Sequence, residues 1–222
     1  MPSATNRIQL YWGCPLAAQA YRADRLSPAD QAKAARRRQP RSQREWQVSR
    51  ALLQQVQPEG THNLSHAAEH AVLACAPAGW RLGVDLEQIR PRDVQRLIHP
   101  CGLADEQAYL ATLDGDAALR QFYRYWTLKE AFIKARGLPF PSALKQIGLN
   151  RAGDAWRLQV PEDSAGSWSV RIVELSPDWL LSVVWQAPTA VPCQEPDWQA
   201  GPCSVLPERQ VWLAIDPWAE AP

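Results

Sequence analysis

The stretch from Asp116 to Arg136 constrains the fold more than any other. It contains no proline, it stops at Gly137 with Pro139 just beyond, and Leu119, Phe122, Trp126 and Ile133 recur with helical period. That pattern predicts a long helix whose one apolar stripe is buried and whose end is closed by glycine. A helix of this kind needs a body to rest on. With 222 residues the chain can supply one large domain or two small ones at ~150 residues per domain. Its 46% apolar and 21% charged residues exclude a disordered, collagen-like or coiled-coil chain. Eleven tryptophans, each needing packing and a partner for its N–H, also argue for firm structure.

The remaining elements alternate between helix and strand signals. Ser27-Pro28 marks a capped helix start, and a second helix is expected over Ser42–Gln55. Short runs at His62–Ser65, Ala71–Cys75 and Arg81–Glu87 predict strands. Helices are expected over Arg92–Ile98 and Ala104–Thr112, and strands over Leu144–Leu149, Ala155–Val160, Trp168–Leu175 and Trp179–Gln186. The fold class is therefore α+β, with an N-terminal subdomain over 1–92, a C-terminal one over 93–186 and an extension over 187–222. Seven of the 19 prolines fall in that extension together with Trp198, Trp212 and Trp218, which predicts an irregular segment laid back on the body. Val211–Ile215 can make one edge strand there.

No apolar run approaches the ~18 residues of a membrane span, and the N-terminus lacks a signal-peptide core. Five cysteines, widely spaced, form neither a redox pair nor a zinc knuckle. A cytoplasmic protein is expected. The net charge of +1 hides an asymmetry, because the extension has five acidic residues and only Arg209 as a base. The first 186 residues are left with 23 basic and 18 acidic side chains. The densest basic run includes Lys33, Arg36, Arg37, Arg38, Arg41, Arg44 and Arg50 against Glu45. Such a run is either a solvated helix face or a phosphate site gripped by guanidinium forks.

Asp85 and Glu87, two apart in a strand, project from one face. They are either a solvated strand end or a pair that shares a cation, and carboxylate oxygens suit Mg²⁺. Lys129, Glu130 and Lys134 lie near the edge of the buried stripe of the long helix. Glu130 and Lys134 make either a plain i,i+4 ion pair or part of a site combining a metal ligand, a base and a phosphate clamp. His62, His66 and His70 would suit zinc only in a helix, and Asn63-Leu64-Ser65 reads as extended.

Three segments together carry a family resemblance: Asn63-Leu64-Ser65-His66, Gly83-Val84-Asp85-Leu86-Glu87, and Trp126-Thr127-Leu128-Lys129-Glu130-Ala131-Phe132-Ile133-Lys134. In this order they resemble the 4′-phosphopantetheinyl transferases of the larger, single-chain class. That class fuses two similar halves, related by pseudo-twofold symmetry, around the site. The resemblance implies a monomer that moves phosphopantetheine from coenzyme A to a serine of an apo acyl or peptidyl carrier protein. It implies Asp85, Glu87 and Glu130 as Mg²⁺ ligands, Glu130 also as base, and Lys134 with Lys129 on the pyrophosphate. Ser65 and His66 match the position that contacts the 3′-phosphate of coenzyme A, and Arg50 matches a cofactor-binding arginine. Lys33, Arg36 and Arg37 are the further cations implied. The glycine–lysine–proline loop usual in the family is missing before Asn63, where Gln57–His62 is short.

Two other function classes remain open on the residues alone. A Mg²⁺-dependent phosphoester or pyrophosphate hydrolase would use the same carboxylates with water as nucleophile. A nucleic-acid module built on the arginine-rich run would leave the three acidic positions without a purpose, and the near-neutral charge speaks against it.

Overall fold

The computed structural model describes residues 7–34, 39–153, 155–164, 166–176, 178–189 and 194–216. In chain order these form β1 (Gln9–Gly13), α1 (Pro28–Ala34), α2 (Pro40–Val56), β2 (Thr61–Ala67), β3 (His70–Ala76), β4 (Arg81–Gln88), α3 (Val94–Ile98), α4 (Ala104–Leu110), α5 (Gly115–Arg136), β5 (Gly148–Ala152), β6 (Ala155–Gln159), β7 (Ser169–Leu175), β8 (Trp179–Gln186), β9 (Asp197–Ala200) and β10 (Arg209–Ile215). The punctuation signals act as expected. Ser27 Oγ accepts the Asp30 N–H at 3.1 Å to start α1, and Gly137 closes α5 at φ 66°. The described residues contain no helix long and apolar enough to cross a membrane.

Two four-stranded sheets, ordered β2-β3-β1-β9 and β10-β7-β8-β4, and the small β5-β6 hairpin carry the strands. Alternation along the strands sorts the core into layers. Leu73 and Cys75 of β3 meet Val48 and Leu52 of α2. Val72 and Ala74 of β3, with Leu10 and Trp12 of β1, face Leu82, Val84 and Leu86 of β4 and Leu181 and Val183 of β8. On the far side, Ile172, Leu180 and Val184 pack on Phe122, Leu128 and Phe132 of α5. The order is helix, sheet, sheet, helix. One long helix on one sheet therefore occurs twice in this α+β fold, around α2 and around α5. Although β4 precedes residue 92, its ladder partner is β8, in antiparallel register from Arg81↔Gln186 to Gln88↔Trp179.

The extension reaches both sheets. β9 runs parallel to β1, and β10 is the outer strand beside β7, where Val211–Ile215 was expected to make an edge. The buried Arg171 guanidinium ties the extension down, pairing with Glu195 and with Asp216, each at 2.7 Å.

Two expectations need correction. Leu144–Leu149 is not one strand: a 3-10 turn occupies Leu144–Gln146 and β5 starts at Gly148. Backbone groups here bind side chains instead of a ladder, because Leu144 and Ile147 offer their carbonyls to Lys129 and Leu149 N–H goes to Glu106. Nor does α5 bury a single stripe. Gln121, Tyr125, Thr127, Leu128, Lys129 and Ala131 are buried along with Phe122 and Ile133. The helix is enclosed by sheet on one side and by α3, α4 and β5 on others, so an amphipathic reading understates its burial.

Candidate active site

Gly83 brings the helix to the strand. A Cβ there would overlap the Ala131 carbonyl of α5, so only glycine lets α5 lie against β4. Asp85 and Glu87 follow on the same face of β4 by the strand period, and Glu130 and Lys134 look back from α5. Lys134 Nζ donates to Asp85 Oδ1 at 2.7 Å, to Val84 O at 3.1 Å and to Ser65 Oγ at 3.2 Å. The motif on β2 supports the free edge of β4 through side chains. Asn63 Oδ1 accepts Val84 N–H at 3.1 Å, and Ser65 Oγ accepts Leu86 N–H at 3.2 Å.

The electrostatics show a crowded anionic locus. Asp85 is buried, and its Oδ2 atom has no hydrogen-bond partner. Burial first, and repulsion from Asp85 second, push Glu87 up to about 7, while the neighbouring Trp126 side chain acts in the opposite direction. Burial and then Asp85 also raise Glu130, while Lys134 acts in the opposite direction. The three carboxylates thus interact across one small region. As arranged, no group of three His, Cys, Asp or Glu side chains among the described residues is disposed to hold a metal ion. The donor set nonetheless fits a hard divalent cation: all donors are oxygens, two carboxylates are destabilised by a third, and a buried carboxylate oxygen lacks a partner.

Beside Glu87 opens an apolar cavity of about 640 Å³, lined by Leu97, Phe122, Trp126 and Phe140, with Arg92 and Lys145 among its polar residues. The other expected residues divide. His66 is exposed, with Nδ1 3.7 Å from Glu45 Oε2, and it lies within electrostatic reach of Lys134 and Arg50. Arg50 stacks over Trp46 at 4.0 Å and pairs with Asp30 at 3.1 Å. It lines a second cleft of about 440 Å³ with Arg25, Ser27, Gln54 and His62. Lys33 is exposed on α1, while Arg36 and Arg37 lie outside the described residues. The histidine ladder is dispersed, as a strand requires, and His70 packs against Trp12 and Trp179.

Lys129 does not join the site. Expected beside Lys134, it is wholly buried and paired with Glu106 at 2.8 Å. Burial pulls its ammonium below the ordinary lysine range, against the attraction of Glu106. Nor is Ser65 open to solvent for a phosphate contact, being buried and hydrogen-bonded to Asp85. Sequence reasoning missed Glu106, Arg92 and the closeness of Trp126 to Glu87 in the cavity wall. Only the last had a signal, since Trp126 lies one helical turn before Glu130.

A model of the 4′-phosphopantetheinyl transferase superfamily matches residues 81–191. The chain belongs to that superfamily. The match contains Gly83, Asp85, Glu87, Lys129, Glu130 and Lys134; Arg50, Ser65 and His66 lie outside it. Among the superfamily's curated members, the 4′-phosphopantetheinyl transferase HetI of Nostoc sp. is 37% identical over 118 residues, 52% of this chain and 46% of that protein. The 4′-phosphopantetheinyl transferase Sfp of Bacillus subtilis is 26% identical over 128 residues, 57% of this chain and 55% of that protein. The chain thus spans about half the length of these transferases. A solved holo-(acyl-carrier-protein) synthase from Bacillus anthracis, in complex with CoA (3′,5′-ADP), aligns with 47% of this chain and 92% of that one. Its identity is 15% and its TM-score 0.40, an overlap that adds nothing to the assignment.

Proposed function

We propose that this superfamily member transfers 4′-phosphopantetheine from coenzyme A to a serine hydroxyl of an apo acyl or peptidyl carrier protein. This is a reaction of the holo-acyl-carrier-protein synthase type, performed by a single chain in the cytoplasm. The observation that carries the reading is the junction of β4 and α5, where Asp85, Glu87, Glu130 and Lys134 meet inside the matched segment.

In this reading Asp85, Glu87 and Glu130 hold Mg²⁺, which when bound neutralises charge on the pyrophosphate of coenzyme A. Glu130 takes the proton of the incoming serine. Its raised proton affinity suits a general base. The serine oxygen then bonds to the β-phosphorus, the bond to the nucleotide breaks, and adenosine 3′,5′-bisphosphate leaves. Lys134 holds Asp85 in place and supplies positive charge where the leaving group develops negative charge. His66 and Arg50, with Lys33 and the arginines at 36 and 37, bind the phosphates on the nucleotide side. Arg50 would exchange Asp30 for phosphate. The apolar cavity beside Glu87 receives the arm that is moved.

Intact-mass analysis of an apo carrier incubated with coenzyme A and Mg²⁺ tests this directly. The carrier should gain one phosphopantetheine with the natural protein and none with Glu130→Gln. Cleavage of coenzyme A without any gain by the carrier would instead favour a hydrolase.

A further inference from the structure

The hydroxyl of Ser65 sits at the centre of the Asp85–Lys134 pair, and counting its protons assigns it a task. A serine hydroxyl has one proton to donate and two lone pairs with which to accept. Leu86 N–H, at 3.2 Å, is a donor. Lys134 Nζ, also at 3.2 Å, is a donor too. Both lone pairs are therefore taken, and the proton points to the remaining neighbour, Asp85 Oδ1 at 3.0 Å. Lys134 is also fully committed, its three protons going to Ser65, Val84 O and Asp85 Oδ1. Asp85 Oδ1 thus receives two hydrogen bonds while Oδ2, buried beside it, receives none.

We infer that Ser65 is a positioning residue that saturates one oxygen of Asp85 and thereby leaves the other, Oδ2, as the oxygen presented to a divalent cation. This replaces the phosphate contact that the resemblance implied for Ser65, and it rests on the proposed reading only in taking Asp85 as a cation ligand. The backbone supports the assignment. Ser65 is anchored by β2-β3 pairing, opposite Val72, and by the N–H of Leu86, the residue that follows the carboxylate it serves. Neither Asp85 nor the serine can then rotate without giving up a buried hydrogen bond. Outer partners of this kind orient a ligand before the ion arrives.

The test uses Mn²⁺ as probe with the full chain and no coenzyme A, following loss of the free-ion signal by electron paramagnetic resonance. Ser65→Ala should weaken Mn²⁺ binding by about 10- to 100-fold, and Ser65→Thr, which keeps the hydroxyl, should restore most of it. Asn63→Ala is the control, since Asn63 bonds the same edge of β4 without touching Asp85; it should leave Mn²⁺ affinity near that of the natural protein. Should Ser65→Ala not fold, Ser65→Cys keeps the shape but donates poorly, and a weakened affinity is expected there. Natural Mn²⁺ affinity in a folded Ser65→Ala or Ser65→Cys protein, with a raised KM for coenzyme A, would overturn the inference and return Ser65 to the nucleotide. Equal losses for Asn63→Ala and Ser65→Ala would overturn it as mere edge damage, as would an unmodified protein that binds no Mn²⁺. A protein that binds Mn²⁺ in this pattern yet modifies no carrier would sink the transferase reading while leaving the inference standing.

Discussion

Two lysines five residues apart on α5 each end against a buried carboxylate, and their surroundings differ in exposure and in what is left unbonded. Lys129 and Glu106 are both wholly enclosed. Lys129 also binds the carbonyls of Leu144 and Ile147, while Glu106 accepts Leu103 N–H at 2.9 Å and Leu149 N–H at 3.0 Å. That pair fastens α4 and the start of β5 to the helix. Lys134 keeps 29% of its side-chain surface, and its partner Asp85 has an oxygen with nothing bound to it. A buried ion pair whose every donor and acceptor is matched is architecture. One that leaves an oxygen bare beside two destabilised carboxylates is prepared for something to arrive.

The sharpest way to break this contrast is to cut each pair on the lysine side. Lys129→Met strands Glu106 in the interior and should lower unfolding free energy by about 3–5 kcal/mol, read by denaturant titration. Adding Glu106→Leu should recover much of that loss, because two apolar groups no longer leave a charge unpaired. Lys134→Met should behave oppositely. Lys134 itself is partly exposed and Ser65 still bonds Asp85, so stability should fall less, but transfer to the carrier should drop by about 10²–10³-fold. Comparable losses of stability in the two variants would mean that both lysines are structural.

A smaller effect concerns Glu87. Its proton affinity in the folded protein, about 7, exceeds the ordinary 4.5. The group therefore adds stability below pH 4.5, and this is lost as the pH rises through about 7. Glu87→Gln should match the natural protein at acid pH and exceed it at pH 8, by on the order of 1 kcal/mol after allowing for partial exposure. Thermal melts across that range read the difference. A gain that is largest at low pH would contradict the burial of Glu87 and its repulsion by Asp85 as the causes.

The elements that position the site were legible because local rules set them. Carboxylates at 85 and 87 on one strand face and a helix stopped at Gly137 each follow from period or backbone geometry, whereas the close approach that needs Gly83 depends on the helix packed against it. The α+β class and the edge strand at Val211–Ile215 followed in the same way. The partners were not legible where they depend on tertiary neighbours. Lys129 and Lys134 look equivalent in the chain, and only the placement of Glu106, over twenty residues away, separates them. The resemblance implies a phosphate contact for Ser65, and nothing in the chain itself announces its bonds to Leu86 N–H and Asp85, which depend on β2 lying beside β4. The chain leading into and through β1 does alternate, burying Ile8, Leu10 and Trp12, but the run is too short to stand out, while β9 depends on a parallel partner almost the whole chain away.

The most direct measurement is a crystal structure of the protein with coenzyme A and Mg²⁺. The ion is expected about 2.0–2.1 Å from Asp85 Oδ2 and from carboxylate oxygens of Glu87 and Glu130, with Lys129 still enclosed against Glu106. An ion bound elsewhere, with Asp85 Oδ2 still bare, would contradict it.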